Sequence, residues 1–345
     1  MSTQPDSGEC PNEAPFQVLD DLRSWMTQDF SRQLEAALLP LHERIGLLER
    51  QNRLLLKQLL VPREHEYLGL PTPHPEPAPA KSAFPYSSVC RAKHFREPYF
   101  THWAQALGQG LRYHRKLWEF VFICQALHER GVLKKGARGL GFGVGREPLA
   151  AYFAARGCKV LGTDMGADAA VEAGWTSTAQ HAAGKEALAY PHICPPKTFN
   201  ANVDFRNLDM NHIDDDLLDF DFCWSACALE HLGSIEQGLR FIERSVGTLR
   251  PGGWAIHTTE FNVSSNDQTL DHAGTVLFRR RDFETLVERL EAAGNIVAPF
   301  DFTPGFGTID RYIDAPPYLD QPHLKLELEG YAATSIGVIV QRGPA

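Results

Sequence analysis

The chain contains no run of eighteen apolar residues, and its opening MSTQPDSGEC has no basic segment followed by an apolar stretch. Neither a membrane span nor a secretory leader is therefore expected, and the reading is a cytoplasmic protein. An excess of basic charge is also missing: 34 Lys and Arg stand against 43 Asp and Glu, a net charge of −9. That balance excludes a general electrostatic attraction to nucleic acid or to an anionic membrane, and neither is expected as a partner. The seven cysteines (Cys10, Cys90, Cys124, Cys158, Cys194, Cys223 and Cys227) form no CxxC pair, and four lie within apolar runs. A thiol in such a run packs as a small hydrophobe, so neither a disulfide framework nor a zinc site is expected.

What is present suggests one good-sized core with an appendage. Residues 16–61 read as a separate helical unit behind a disordered start at 1–15. Leu34, Leu38, Leu41, Ile45, Leu48, Asn52, Leu55 and Leu59 recur alternately four and three apart, a heptad seam with Asn52 at an a position. A parallel homo-oligomer through residues 34–60 is expected, with a kink or restart at Pro40 because proline removes a helix hydrogen bond. The alternative is an amphipathic helix folded on its own body. Residues 62–87 are proline-rich (PTPHPEPAPAKSAFP) and read as a semi-rigid polyproline spacer. The main domain, 88–345, should open with one or two helices between His102 and Val132. Later elements are a helix at Arg281–Ala293, a strand near Ile296–Phe302 and a last strand at Ala333–Gln341.

The stretch Gly139–Gly145, GLGFGVG, carries the most information. It lies between a short candidate strand and a candidate helix, REPLAAYFAARG, after which KVLGTD gives a second strand ending on Asp164. Strand, glycine turn, helix and a strand closed by a carboxylate make half of a nucleoside-binding fold. The alternate spacing of the glycines does not fit the dinucleotide fingerprint, which argues against a pyrophosphate cradle. Glycine lets the backbone turn sharply and approach a ligand with no side chain between. Asp164, 19 residues after Gly145, stands where a carboxylate can accept from both ribose hydroxyls.

From Arg91 to Gly343 the sequence resembles the class I S-adenosylmethionine-dependent methyltransferases (types 11 and 12). GLGFGVG resembles their first motif, TDMG (Thr163 to Gly166) the end of their second strand, and NLDM around Asp209 their adenine-contacting position. DFDFCWSACALEHL (Asp219 to Leu232) resembles the fourth strand with its loop, and LRPGGWAIHTTE (Leu249 to Glu260) the turn into the fifth. The resemblance implies an α/β fold: a doubly wound Rossmann-like sheet with an antiparallel final strand, here preceded by the coiled-coil segment. It implies S-adenosylmethionine as cofactor, held by Gly141, Gly143, Gly145, Asp164, Met165, Asp209, Met210 and Ser225. Most members carry an acidic residue two positions before the first loop glycine, where this chain has Gly139; Glu147 is the candidate replacement. Helices before the first strand often cover the cofactor in this family, which would turn His114, Arg115 and Lys116 toward the site.

The expected activity is methyl transfer to a small polar or glycan acceptor, at a hydroxyl, with specificity shaped by the insert from Phe302 to Tyr331. A hydroxyl acceptor must lose a proton, and the candidates follow the fourth and fifth strands. His231 and Glu260 are the expected catalytic residues, since an imidazole with an unperturbed pKa of about 6.5 suits proton transfer near neutrality. His257 lies inside the strand pattern and reads as a core residue. Asp271 and His272 with Glu260 offer no spacing that warrants a metal, and none is assigned. Arg279, Arg280 and Arg281 read as surface charges before a helix, or as a grip for an acceptor phosphate. Two other functions remain open: a noncatalytic scaffold that keeps the fold and oligomerises through its helix, and a nicotinamide-dependent oxidoreductase.

Overall fold

Short apolar runs such as Gly139–Gly141 and Phe222–Trp224 lack a polar face, as strands covered on both sides by helices must. The computed structural model describes residues 70–166, 181–272 and 274–344, with isolated positions between 30 and 48. Two units result, Met1–Pro62 and Arg63–Ala345. In the first, positions 30, 33, 34, 37–41, 44 and 48 are helical and exposed, Pro40 included. The rest of the heptad seam, with Ile45, Asn52, Leu55 and Leu59, lies outside the described residues.

The second unit is built on a mixed sheet. In chain order the strands are β1 (Ser87–Val89), β2 (Arg138–Gly141), β3 (Lys159–Asp164), β4 (Val203–Asn207), β5 (Phe220–Ala226), β6 (Leu249–Asn262), β7 (Asp271–His272), β8 (Thr275–Val276), β9 (Ile296–Val297), β10 (Phe300–Asp301), β11 (Lys325–Leu328) and β12 (Tyr331–Gln341). The α-helices are α1 (Pro98–Ala106), α2 (Arg115–Glu129), α3 (Leu149–Ala155), α4 (Pro196–Asn202), α5 (Ile235–Gly247), α6 (Arg280–Ala292) and α7 (Thr308–Arg311). Across the sheet the order is β10-β1-β12-β6-β5-β2-β3-β4, with β9 and β11 also on β12 and β7–β8 a separate ribbon.

From β4 to β6 every pairing is parallel, and β12 runs antiparallel to β6. The chain winds outward from β2 in both directions, to β3 and β4 on one side and to β5 and β6 on the other. A crevice therefore opens beyond the carboxyl ends of β2 and β5, where ligands bind in sheets of this kind. Helix α2 covers one face with Trp118, Phe122 and Ile123 buried. Gly337 of β12 lets it come close, since a Cβ there would lie 2.1 Å from the Phe122 ring. Helix α5 buries Leu239, Phe241, Ile242 and Val246 on the other face.

Two expectations are corrected. The proline-rich segment is a spacer only in part. Glu129 accepts hydrogen bonds from Ala83 N (2.6 Å) and Phe84 N, and Phe84 is buried. Its end then becomes β1, inserted between β10 and β12. The proline run ends at Pro79, apart from Pro85, and Phe84 and Val89 supply the apolar surface that draws the chain onto the core. The expected strand near Ile296–Phe302 is broken into β9 and β10. Pro299 at the break has no N–H to continue the ladder, and its carbonyl instead accepts from Ser87 N at 3.0 Å.

Candidate functional site

Four glycines in one loop serve two different ends. A Cβ on Gly139 would lie 2.4 Å from the Phe222 ring, and one on Gly141 would lie 2.4 Å from Trp224. These two make room for aromatics on the neighbouring strand β5. Gly143 and Gly145 instead take left-handed backbone (φ 54° and 49°) and line a cavity of about 860 Å³ at the carboxyl ends of β2, β3 and β5. Val144 N donates to Thr163 O and Gly145 N to Asp164 Oδ2, both at 3.0 Å, so the loop is fastened to β3.

Asp164, Met165, Asp209 and Met210 all line this cavity, as expected of them. Asp164 is also a brace. Its Oδ2 accepts from Gly145 N and Ala182 N, and its Oδ1 from Met165 N. Burial pushes its carboxyl above the ordinary aspartate value, opposed by those N–H donors. The described residues thus occupy three of about four acceptor positions on the carboxylate. Asp209 closes its own turn, accepting from Asn211 N and meeting His212 Nδ1, both at 2.8 Å. Gly141 and Ser225 do not line the cavity. Ser225 is fully buried, and its hydroxyl meets His257 Nδ1 at 2.8 Å while Ser245 meets Nε2 at 2.9 Å. His257 is the core residue its strand position suggested, its imidazole pushed down to about 3 by burial.

The two expected catalytic residues part company. His231 lines the cavity, and its Nδ1 lies 3.0 Å from Gly274 O. A carbonyl only accepts, so Nδ1 carries the hydrogen, while Nε2 lies 4.0 Å from Glu230 Oε1. Glu260 does not line the cavity. It is buried, with Oε1 2.5 Å from Arg115 Nη2. Burial pushes its carboxyl up to about 7, Arg115 opposing and Glu230 and Glu119 adding to the rise.

A largely buried polar cluster adjoins the cavity and reaches it at Cys227. Glu119 of α2 accepts from Cys227 Sγ (3.0 Å), Ser335 Oγ and Arg115 Nη1 (3.3 Å). Arg115 and Lys116 hold its carboxyl below the ordinary value against the opposing effect of burial. Cys227, Glu230 and Glu260 bring potential ligand atoms within 4.8 Å of one another. Arg115 already supplies positive charge there, 3.6 Å from Cys227 Sγ and paired to Glu260. Asp271 and His272 are engaged elsewhere, with Ile235 N and Glu329. Arg279, Arg280 and Arg281 pair with Asp282, Glu284 and Asp267, as charges opening a helix do.

Lys116 and Glu147 also line the cavity. Lys116 Nζ donates to Ala226 O at 2.8 Å and lies 3.8 Å from Glu147 Oε1. Sequence reasoning passed over Glu119 and Cys227. A charged residue inside the apolar run LWEFVF, four residues after Arg115, was the available signal.

A family model described as "Methyltransferase domain" matches residues 140–257. The match covers about a third of the chain. It spans the glycine loop, Asp164 and His231, whereas Lys116, Glu260 and the insert before β12 lie outside it. No curated protein matches the chain. Among solved structures, the chain is similar to an S-adenosylmethionine-dependent methyltransferase from Mesorhizobium loti (12% identity, 63% of this chain and 96% of that one, TM-score 0.39). It is also similar to magnesium protoporphyrin IX methyltransferase from Synechocystis PCC 6803 with bound SAH (16%, 73% and 97%, TM-score 0.38). A third is phosphoethanolamine N-methyltransferase 2 of Haemonchus contortus with S-adenosyl-L-methionine (16%, 70% and 53%, TM-score 0.40). Among the described residues, no helix is long and apolar enough to cross a membrane.

Proposed function

We propose that the domain uses S-adenosylmethionine to methylate a hydroxyl of a small polar or glycan acceptor. The observation that carries this reading is the arc Gly143–Gly145, free of side chains at its glycines and opening on the cavity between β2, β3 and β5. The residues fit such a ligand. A Cβ on Gly143 would lie 2.8 Å from Ala228 and 3.0 Å from Met210 Sδ, so only bare backbone can form that wall. Buried Glu147 Oε2 has no well-aligned hydrogen bond, with only the Trp224 indole nearby, and can accept from a donor on the ligand.

The cofactor supplies, when bound, an electrophilic methyl group on a sulfonium. Gly143 and Gly145 admit close approach, Asp164 and Asp209 offer acceptors to hydroxyl and amino groups, and Phe120 and Leu232 exclude water from the wall. His231 would hold the acceptor hydroxyl and take its proton at Nε2. The exposed Leu34, Leu38, Leu41 and Leu48 support self-association through residues 34–60. A chain lacking residues 1–61 should sediment as a smaller oligomer, and an unchanged size would remove that part of the reading.

The decisive experiment supplies methyl-labelled S-adenosylmethionine with fractionated small molecules and glycans. Label is expected in a hydroxyl-bearing fraction, and His231→Asn should lower kcat roughly 10²- to 10⁴-fold with binding of the sulfide product unchanged. Absence of both transfer and nucleoside binding would overturn the reading.

A further inference from the structure

We propose that Lys116 and Glu147 form a two-charge clamp for the amino-acid end of the cofactor, Lys116 on its carboxylate and Glu147 on its ammonium. This rests on the cofactor reading above and assigns the part of that ligand which no glycine can select. The two residues come from unrelated places in the chain, the second residue of α2 and the second residue after Gly145. The fold sets both on one cavity wall, Nζ 3.8 Å from Oε1. An α-amino acid carries its two opposite charges on one carbon; an arriving ammonium favours the ionised form of Glu147, whose proton leaves to solvent, and a cation and an anion at this separation then complement the ligand.

The bonding state of each group supports the assignment. Glu147 is 6% exposed, with the Trp224 indole N–H acting on its carboxyl and no well-aligned hydrogen bond at Oε2. An unsatisfied buried carboxylate oxygen costs free energy that an arriving N–H donor would recover. Lys116 Nζ donates to Ala226 O at 2.8 Å and faces Glu119 Oε2 at 3.3 Å, which leaves one of its three N–H groups for an anion. Gly139 stands where the resemblance would put an acidic residue, and Phe222 fills the space that any side chain there would need. The chain therefore carries its carboxylate on the far side of the loop.

The test compares two nucleosides by calorimetry: S-adenosylhomocysteine, which has the amino-acid end, and 5′-methylthioadenosine, which lacks it. The wild-type chain should bind the first more tightly. Glu147→Gln should weaken S-adenosylhomocysteine about ten- to a hundredfold and leave methylthioadenosine within about twofold. Should Glu147→Gln not fold, Lys116→Met carries the same comparison from the opposite charge. Equal affinities of the wild type for both nucleosides, or variants that weaken both alike or neither, overturn the clamp. A wild type that binds neither nucleoside overturns the cofactor reading itself.

Discussion

Arg115, the first residue of α2, and Glu260, near the end of β6, form an ion pair with Nη2 2.5 Å from Oε1 and both side chains largely buried. The pair ties the helix that walls the cavity to the carboxyl edge of the sheet. The same guanidinium meets Glu119, Ser335 and Cys227, so it is the main compensation for several buried acidic groups. Truncating one partner of a buried pair leaves the other uncompensated, which costs about 3–5 kcal/mol. Arg115→Met should lower stability to urea by that order, and adding Glu260→Gln should restore part of the loss. A loss below about 1 kcal/mol, the range of surface pairs, would show that the cluster relaxes.

Stability should depend on pH through two carboxyls. Burial pushes Glu147 up to about 8 and Glu260 up to about 7, from an ordinary 4.5. Between those values the folded chain holds protons that the unfolded chain has released, so stability is full below about 4.5 and falls as pH rises through about 7 and 8. Lys116 opposes the rise at Glu147, while Glu119 and Asp164 add to it. Urea midpoints of the ligand-free chain should fall from pH 5 to pH 8.5, and Glu147→Gln should flatten that slope. Parallel slopes would place the titration elsewhere.

The two classes of loop glycine should fail differently. Gly141→Ala drives a methyl into Trp224 and Val144, an overpacking that costs about 1–3 kcal/mol of stability. Gly143→Ala forces a side chain into left-handed backbone, costing of order 1–3 kcal/mol, and also fills the arc. Thermal melts should register both variants, whereas the loss of S-adenosylhomocysteine affinity should be larger for Gly143→Ala. The reverse ranking would move the cradle to the strand end.

Ser225→Ala should cost about 1–3 kcal/mol, because it leaves His257 Nδ1 buried without its partner. Nucleoside affinity should not change, since the hydroxyl is spent in the core. A specific loss of affinity with unchanged melting would return Ser225 to the cofactor.

Much of the architecture was readable along the chain. The strand, glycine loop, helix and strand around Gly143 and Asp164 were found as expected, because short apolar runs closed by glycine or aspartate are local signals. Helix α6 and β12 followed from periodicity in the same way, whereas the antiparallel final pairing was what the resemblance implied. Single residues were harder. Glu260 and Ser225 both end strands at the expected edge, yet Glu260 faces Arg115 and Ser225 faces His257. A strand's alternation says that neighbours point to opposite faces, but not which partner waits on either face.

The linear order of residues by itself determined a glycine bend, the alternating strands and helices around it and a helical stretch ahead of them. Periodicity and backbone freedom are properties of neighbouring residues, and they act before any distant contact exists. Only the tertiary structure decided that Lys116 meets Glu147, that Arg115 closes on Glu260, and that Ser87–Val89 joins the sheet between β10 and β12. Those partners are separated by 31, 145 and about 200 or more residues. Their pairing depends on burial of charge and backbone in one shared interior, where an unpaired group is costly. No local pattern carries that information.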